Sequence, residues 1–405
     1  MTLHRLAVIV TLAISLGVVG CAIPRGPAVP AYDTTRALPL GIPNARFYAD
    51  DDPEPMLAEA TLAIERQQAA LRAEGRPTRP MPPVYLLAIS GGGDNGAFGA
   101  GLINGWTVTG TRPQFRIVTG VSTGALIAPF AFLGPRYDAT LRDLYTNLTP
   151  RQIFLRRRLT AAVFSDAMAD TSPLASKIAR YADQRMFDEI AREYQKGRLL
   201  MIGTTDLDAQ RPVIWNIGAI AASRHPKSLE LFHEILLASA AIPGAFEPVL
   251  IDVEVDGVPF QEMHVDGGAI AQLFLYPGSI DPRALPVDRN QTAYVIRNAR
   301  LDPEHAEVER RTISIAGRAI STMLTSSGYN DVVRIYFQTK RDGIGYNLAY
   351  IGADFDAPRA GSFDQAYMRS LFDYGYNQAI SGRTWHKTPP GLHSTSRGRP
   401  DNAAD

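Results

Sequence analysis

An apolar run at residues 84–90 (VYLLAIS) stops abruptly in three glycines, Gly91, Gly92 and Gly93. A run this short and this apolar suits a buried strand, and the glycines predict a sharp turn at its carboxyl end. Residues 97–106 then predict a helix whose small residues Ala97, Ala100 and Gly101 allow close packing on a sheet. Residues 115–119 predict a second strand and 125–133 a second helix. Residues 199–205 and 213–217 read as a strand pair joined by the polar turn Asp208-Ala209-Gln210-Arg211. Residues 229–239 predict a helix, and 249–255, 263–265 and 292–297 further strands. A long helix is expected over 308–325, ended by Ser327-Gly328, while 332–338 fits either state. Strands alternating with helices indicate an α/β sheet flanked by helices.

The flanks differ in composition. His4 and Arg5 precede an apolar run from residue 6 to 19, then Gly20 and Cys21, the only cysteine of the 405 residues. A short positive region, an apolar core and a small residue before the break describe an export signal over residues 1–20. Val18-Val19-Gly20-Cys21 resembles the lipobox of bacterial lipoproteins, which implies lipidation of Cys21 and a membrane anchor, at the outer membrane in a Gram-negative source. Residues 21–83 are rich in Pro, Ala and Arg and read as a tether with one helix near 55–74, closed by Pro77, Pro80, Pro82 and Pro83. A catalytic domain is expected over 84–380, and 381–405 reads as a disordered tail. Lys plus Arg and Asp plus Glu both number 41, which gives no basic excess for nucleic acid.

Three features carry chemistry. Gly120-Val121-Ser122-Thr123-Gly124 matches G-x-S-x-G between a predicted strand and a predicted helix, the context in which such a serine is pushed out as a nucleophile. Gly91-Gly92-Gly93-Asp94-Asn95-Gly96 is a glycine nest whose backbone N–H groups can hold an oxyanion. Read as a dinucleotide fingerprint, the same stretch lacks its acidic partner, because no Asp or Glu occurs from Asn95 to Tyr137. Asp266-Gly267-Gly268 places a carboxylate in a tight turn after a strand.

Taken in this order, the three features resemble the patatin-like phospholipase family, and residues 238–249 (ASAAIPGAFEPV) resemble the segment that family places before its aspartate. The resemblance covers 84–275 and more weakly reaches 380. It implies a three-layer α/β fold with a mostly parallel central sheet and helices on both faces. It also implies a dyad without an essential histidine: Ser122 as nucleophile, Asp266 as base, the N–H groups of Gly91, Gly92 and Gly93 as oxyanion donors, and Gly96, Gly120, Gly124, Gly267 and Gly268 as supports. The substrate it implies is an acyl lipid, with no metal or organic cofactor; oligomeric state stays open. Asn95 stands where the family often has Arg or Lys.

A Ser-Asp-His triad is the rival mechanism, with His305, His386 and His393 following Asp266. His264, two residues before Asp266, reads as a structural histidine. Arg151, Arg156, Arg157 and Arg158 among Ile153, Phe154, Leu155 and Leu159 read as a solvated face or a contact with anionic lipid, and 155–169 as a cover over the acyl groove. A membrane-tethered binding protein on a hydrolase-like fold is the rival from another class.

Overall fold

The computed structural model describes residues 24–157, 167–285 and 289–392. The export signal, Cys21, Arg158, Leu159, His393 and the end of the tail lie outside them.

In chain order the elements are β1 (Arg46–Tyr48), α1 (Glu54–Ala73), β2 (Val84–Ile89), α2 (Gly96–Val108), β3 (Ile117–Val121), α3 (Thr123–Leu133) and α4 (Asp138–Thr146). A two-stranded ribbon, β4 (Leu155–Arg156) with β5 (Ala169–Asp170), precedes α5 (Ser172–Tyr181) and α6 (Gln184–Gln195). Then come β6 (Leu199–Asp206), β7 (Arg211–Asn216), α7 (Ile217–Ala222), α8 (Ser228–Ser239), β8 (Val249–Val255) and β9 (Val258–Asp266). The chain continues through β10 (Gln291–Arg297), α9 (Thr312–Arg341), β11 (Gly345–Tyr350) and α10 (Gln365–Ile380).

Nine strands form one sheet in the order β1-β7-β6-β3-β2-β10-β11, with β9 on β6 and β8 on β9. Five neighbours, β6, β3, β2, β10 and β11, run parallel, whereas β7, β1 and β9 are antiparallel additions. The fold is therefore α/β with a mostly parallel sheet between helical layers. Strand β2 shows why its sequence is apolar throughout. Leu87 and Ile89 join the core beneath α2 and α3, while Val84, Leu86 and Ala88 join the opposite core with Val332 and Ile335 of α9. Both faces are covered, so no position of the strand is left for a polar residue.

Three segments differ from expectation. The stretch read as a tether is packed into the domain from residue 24 on: β1 extends the sheet by pairing with β7, Ile42, Ala45 and Phe47 are buried, and Arg46 forms a buried ion pair with Glu262. A three-residue strand whose partner is far along the chain leaves no local pattern. Helix α9 continues through Ser327-Gly328 to Arg341 and absorbs the ambiguous 332–338. Gly328 is helical here, and a Cβ on it would overlap the Arg297 guanidinium. The start of the expected tail is ordered as well. Trp385 packs at a tilt against Trp106 and edge-on to Tyr294, with centroids 4.6 and 4.8 Å away, and His386 exchanges two backbone hydrogen bonds with Leu348 of β11.

Candidate active site

Strand register brings the serine and the aspartate together. Along one edge of β6, β3 pairs through Val121↔Gly203 and then leaves the sheet. Strand β9 takes over the same edge at the next position, Thr204↔Asp266. Ser122, the first residue beyond β3, therefore meets Asp266, the last residue of β9.

Ser122 sits at φ 56°, ψ −126°, a backbone conformation that side-chain-bearing residues rarely adopt. Such strain costs about 1–3 kcal/mol and persists only where the surroundings impose it. Here they do. The Ser122 N–H donates to Ser239 Oγ at 3.0 Å, and that hydroxyl donates to the Gly203 carbonyl at 2.7 Å, which bolts the elbow to β6. Gly124 lies so close to β2 that a Cβ would overlap the Ile89 carbonyl oxygen, and a Cβ on Gly120 would overlap the Gly124 carbonyl. The two glycines of the pentapeptide are thus needed for close approach of α3 to the sheet. Gly267 is packed on the Gly203 carbonyl, and Gly96 on the Thr123 side chain, in the same manner.

The Asp266 carboxylate accepts the Gly268 N–H at 2.7 Å and lies beside the Ser122 side chain, whose hydroxyl favours its ionised form. Its own N–H donates to the Ala241 carbonyl at 2.9 Å, inside the 238–249 segment. Burial pushes its pKa up to about 6, against the pull of the Ser122 and Gly268 hydrogen bonds. It is consequently a stronger base than a solvated aspartate while still ionised at neutral pH.

The glycine loop corrects one expectation. The Gly91 N–H donates to the Gln272 carbonyl at 3.2 Å and so is not free to meet a ligand. The N–H groups of Gly92 and Gly93 make no hydrogen bond to another described residue. Gly93 takes φ +59° and borders the cavity beside Ser122. Gly92 could not carry a side chain, since a Cβ would overlap the Asn298 backbone. Gln272 joins the two turns of the site: its carbonyl holds Gly91 and its side-chain amide donates to the Gly268 carbonyl at 3.1 Å.

Ser122 lines an apolar cavity on the helical side of the sheet's carboxyl end. Its wall is apolar almost throughout, with Leu126, Phe130, Leu148, Ile153, Leu174, Ile178, Met186, Leu236 and Met368 among the lining residues. Among the described residues, Lys177 is the one charged residue of that lining. Phe154, Phe246 and Phe363, from three separate loops, cluster at 5.8 and 6.1 Å between ring centroids. Phe363 is tied to the glycine loop itself. The buried Asp94 accepts both Arg359 Nη2, at 2.8 Å on each oxygen, and the Phe363 N–H, at 2.8 Å. Asn95 accepts the Tyr367 hydroxyl at 2.8 Å. The negative charge beside the glycine nest is therefore neutralised by Arg359, and Asn95 holds the start of α10.

The histidines lie elsewhere. Among the described residues none lines the cavity. His264 is fully buried between Thr204 Oγ1 at 3.0 Å and Glu262 at 3.1 Å, with its ring edge-on to Trp215. Asp206, Glu262 and His264 are close enough to share a metal ion, yet Arg46 already pairs with Glu262, and Asp206 accepts the N–H groups of Asp208 and Ala209. Arg157 is paired with Glu247, so this member of the basic run has a protein partner. Ser239, Gln272, Phe363 and Arg359 were not singled out in the sequence. Ser239 alone carried a signal, because it falls within the 238–249 segment.

Residues 87–276 match the model of the patatin-like phospholipase family. No curated protein matches the sequence. Among solved structures, the chain is similar to VipD from Legionella pneumophila, at 10% identity and a TM-score of 0.37 over 74% of this chain and 67% of that one. It is also similar to the type III effector protein ExoU, at 12% identity and a TM-score of 0.28 over 75% and 54%, and to human GIVD cytosolic phospholipase A2, at 10% and 0.28 over 70% and 51%. The alignments span about half the length of the latter two proteins.

Proposed function

We propose, on the premise that residues 87–276 form a patatin-like phospholipase domain, that this chain is a serine lipid-acyl hydrolase. Its substrates are carboxylic esters of phospholipids, lysophospholipids or related acyl lipids. The observation that carries the reading is the strand register that sets a strained serine, on the wall of an apolar cavity, beside a buried carboxylate. The cavity would take the acyl chain, leaving the ester carbonyl at Ser122. Asp266 accepts the hydroxyl proton as Ser122 Oγ bonds to the carbonyl carbon. Negative charge then gathers on the carbonyl oxygen, where the N–H groups of Gly92 and Gly93 and the start of α3 are placed to receive it. The tetrahedral species expels the alcohol, which takes the proton from Asp266. Water then attacks acyl-Ser122 as it gives a proton to the same carboxylate, and the second tetrahedral species releases the fatty acid while Ser122 Oγ takes that proton back from Asp266. The protein needs no resident metal for any of these steps.

The base must be ionised to accept a proton, which fixes the sign of the pH dependence. Labelling of Ser122 by a fluorophosphonate is expected to be level above pH 7 and to fall about tenfold per pH unit once the pH drops below about 6. A rate unchanged between pH 4 and 8 would remove Asp266 from the role of base. Absence of labelling, with retained binding to lipid vesicles, would favour the tethered binding protein.

We further propose that the chain is an exported lipoprotein anchored through Cys21. Expressed in a bacterial host fed an alkyne fatty acid, the wild type is expected to take up the label and Cys21→Ser to lose it. Label retained in Cys21→Ser would reject the anchor. Among the described residues no helix is long and apolar enough to cross a membrane.

A further inference from the structure

The Gly91 carbonyl and the Gly92 N–H belong to one peptide unit, so whatever binds the oxygen also orients and polarises the N–H. That oxygen accepts two hydrogen bonds from within the protein, from Ser90 Oγ at 2.6 Å and from Arg297 Nη1 at 3.4 Å. Arg297 is the last residue of β10 and is 3% exposed. Burial pushes its pKa down to about 10, with Asp331 opposing, so it remains a cation at neutral pH.

The surroundings are shaped around this guanidinium. Nη1 also donates to Gln272 Oε1 at 3.4 Å, and Gly328 of α9 leaves the space that a larger residue would fill. Its Nε has no partner among the described residues. The nearest carboxylate, Asp331, accepts the N–H groups of Gln272 and Leu273 at 2.7 and 3.1 Å and Arg334 at 2.9 Å, rather than pairing with Arg297. A buried cation without a direct carboxylate partner is costly to keep, and stability alone would favour a neutral residue there. What distinguishes the position is the group at which the charge is aimed: the carbonyl of the peptide whose N–H has no partner among the described residues and which adjoins Gly93 on the cavity wall.

We propose that Arg297 is a positioning residue for the oxyanion cradle, fixing and polarising the 91–92 peptide from behind so that the Gly92 N–H binds the transition state more strongly than the ester. The inference rests on the hydrolase reading given above. It predicts an effect confined to the transition state, because the neutral carbonyl of a bound ester gains little from a stronger donor.

The test compares wild type, Arg297→Met and Arg297→Lys in the full chain on a short-chain nitrophenyl ester, with rates expressed per fluorophosphonate-titrated serine. Arg297→Met is expected to lower kcat by about tenfold, less than the 100-fold or more of losing an oxyanion donor, with KM within about twofold. The inhibition constant of a trifluoromethyl ketone, which forms the oxyanion on binding, should rise in step with the fall in kcat/KM. Arg297→Lys keeps the charge but not the planar fork, and should lie between the two. It carries the test by the same split if Arg297→Met does not fold. Unchanged kcat per titrated serine, or KM and ketone affinity worsening in equal proportion, would overturn the proposal. A wild type that takes no fluorophosphonate would refute the hydrolase reading itself, a distinct result from an active wild type beside an equally active variant.

Discussion

Ser122→Ala is expected to bring ester turnover down by about a million-fold, and Asp266→Asn by about ten-thousand-fold, as removal of a nucleophile or of its supporting carboxylate does in serine hydrolases. The second variant is the more informative. Asparagine keeps the shape and the Oδ1 acceptor that receives the Gly268 N–H, so the turn should hold. It also removes a buried charge. An Asp266 pKa raised from 3.8 to about 6 means that ionisation is less favourable in the folded chain than in the unfolded one. The stability contribution of this group is greatest at acid pH, falls between about pH 4 and 6, and stays low above that. At pH 7.5 Asp266→Asn should therefore melt at or above the wild-type temperature while losing its activity. Thermal melts and nitrophenyl ester kinetics on the same preparations check both halves. Activity within tenfold of wild type for either variant would end the dyad assignment. If loss of turnover came only with a lower melting temperature, a folding defect would explain it instead.

The largest effect expected on stability is far from the chemistry. Helix α2 crosses α10 with its glycines at the contact: a Cβ on Gly101 would overlap the Phe372 carbonyl, one on Gly105 the Tyr376 carbonyl, and one on Gly375 the Phe98 carbonyl. No flexible side chain is available to move aside, so backbone must separate from backbone. Gly101→Ala is expected to cost about 3 kcal/mol or more, at the upper end for overpacking, despite alanine's better helix propensity. Gly317→Ala, also helical but with nothing within 4 Å of the added methyl, should gain up to about 1 kcal/mol. Denaturant unfolding of the two variants measures the contrast. Equal stabilities would mean that α2 and α10 have room to part.

Elements whose evidence is local could be read from the sequence. Strand β2, helix α2, the β3 elbow and helix α3 are contiguous apolar runs broken by glycine, and each appears within a few residues of its expected place. The pairing of Ser122 with Asp266 was legible only through the family resemblance. Its physical cause, the exchange of β3 for β9 along β6, is a matter of register between strands far apart in sequence. The same limit explains the differences. Gly91 reads as an oxyanion donor from its neighbours in sequence, but its N–H is engaged by the Gln272 carbonyl, which belongs to a distant turn. Ser327-Gly328 looked like a helix stop because the reason for the glycine, the Arg297 guanidinium, belongs to another element. Strand β1 was hidden by its length. The roles of Arg297 and Arg359 depend on contacts with residues 91 and 94, which no composition or spacing announces.

The clasp of Asp94 on Arg359 and Phe363 couples the cavity wall mechanically to the glycine loop. Phe363 stands in the cavity wall, and its backbone hangs from the residue next to Gly93. Anything in the cavity large enough to press on that ring therefore loads the glycine loop beside Ser122 as well, whereas a smaller occupant leaves it unloaded.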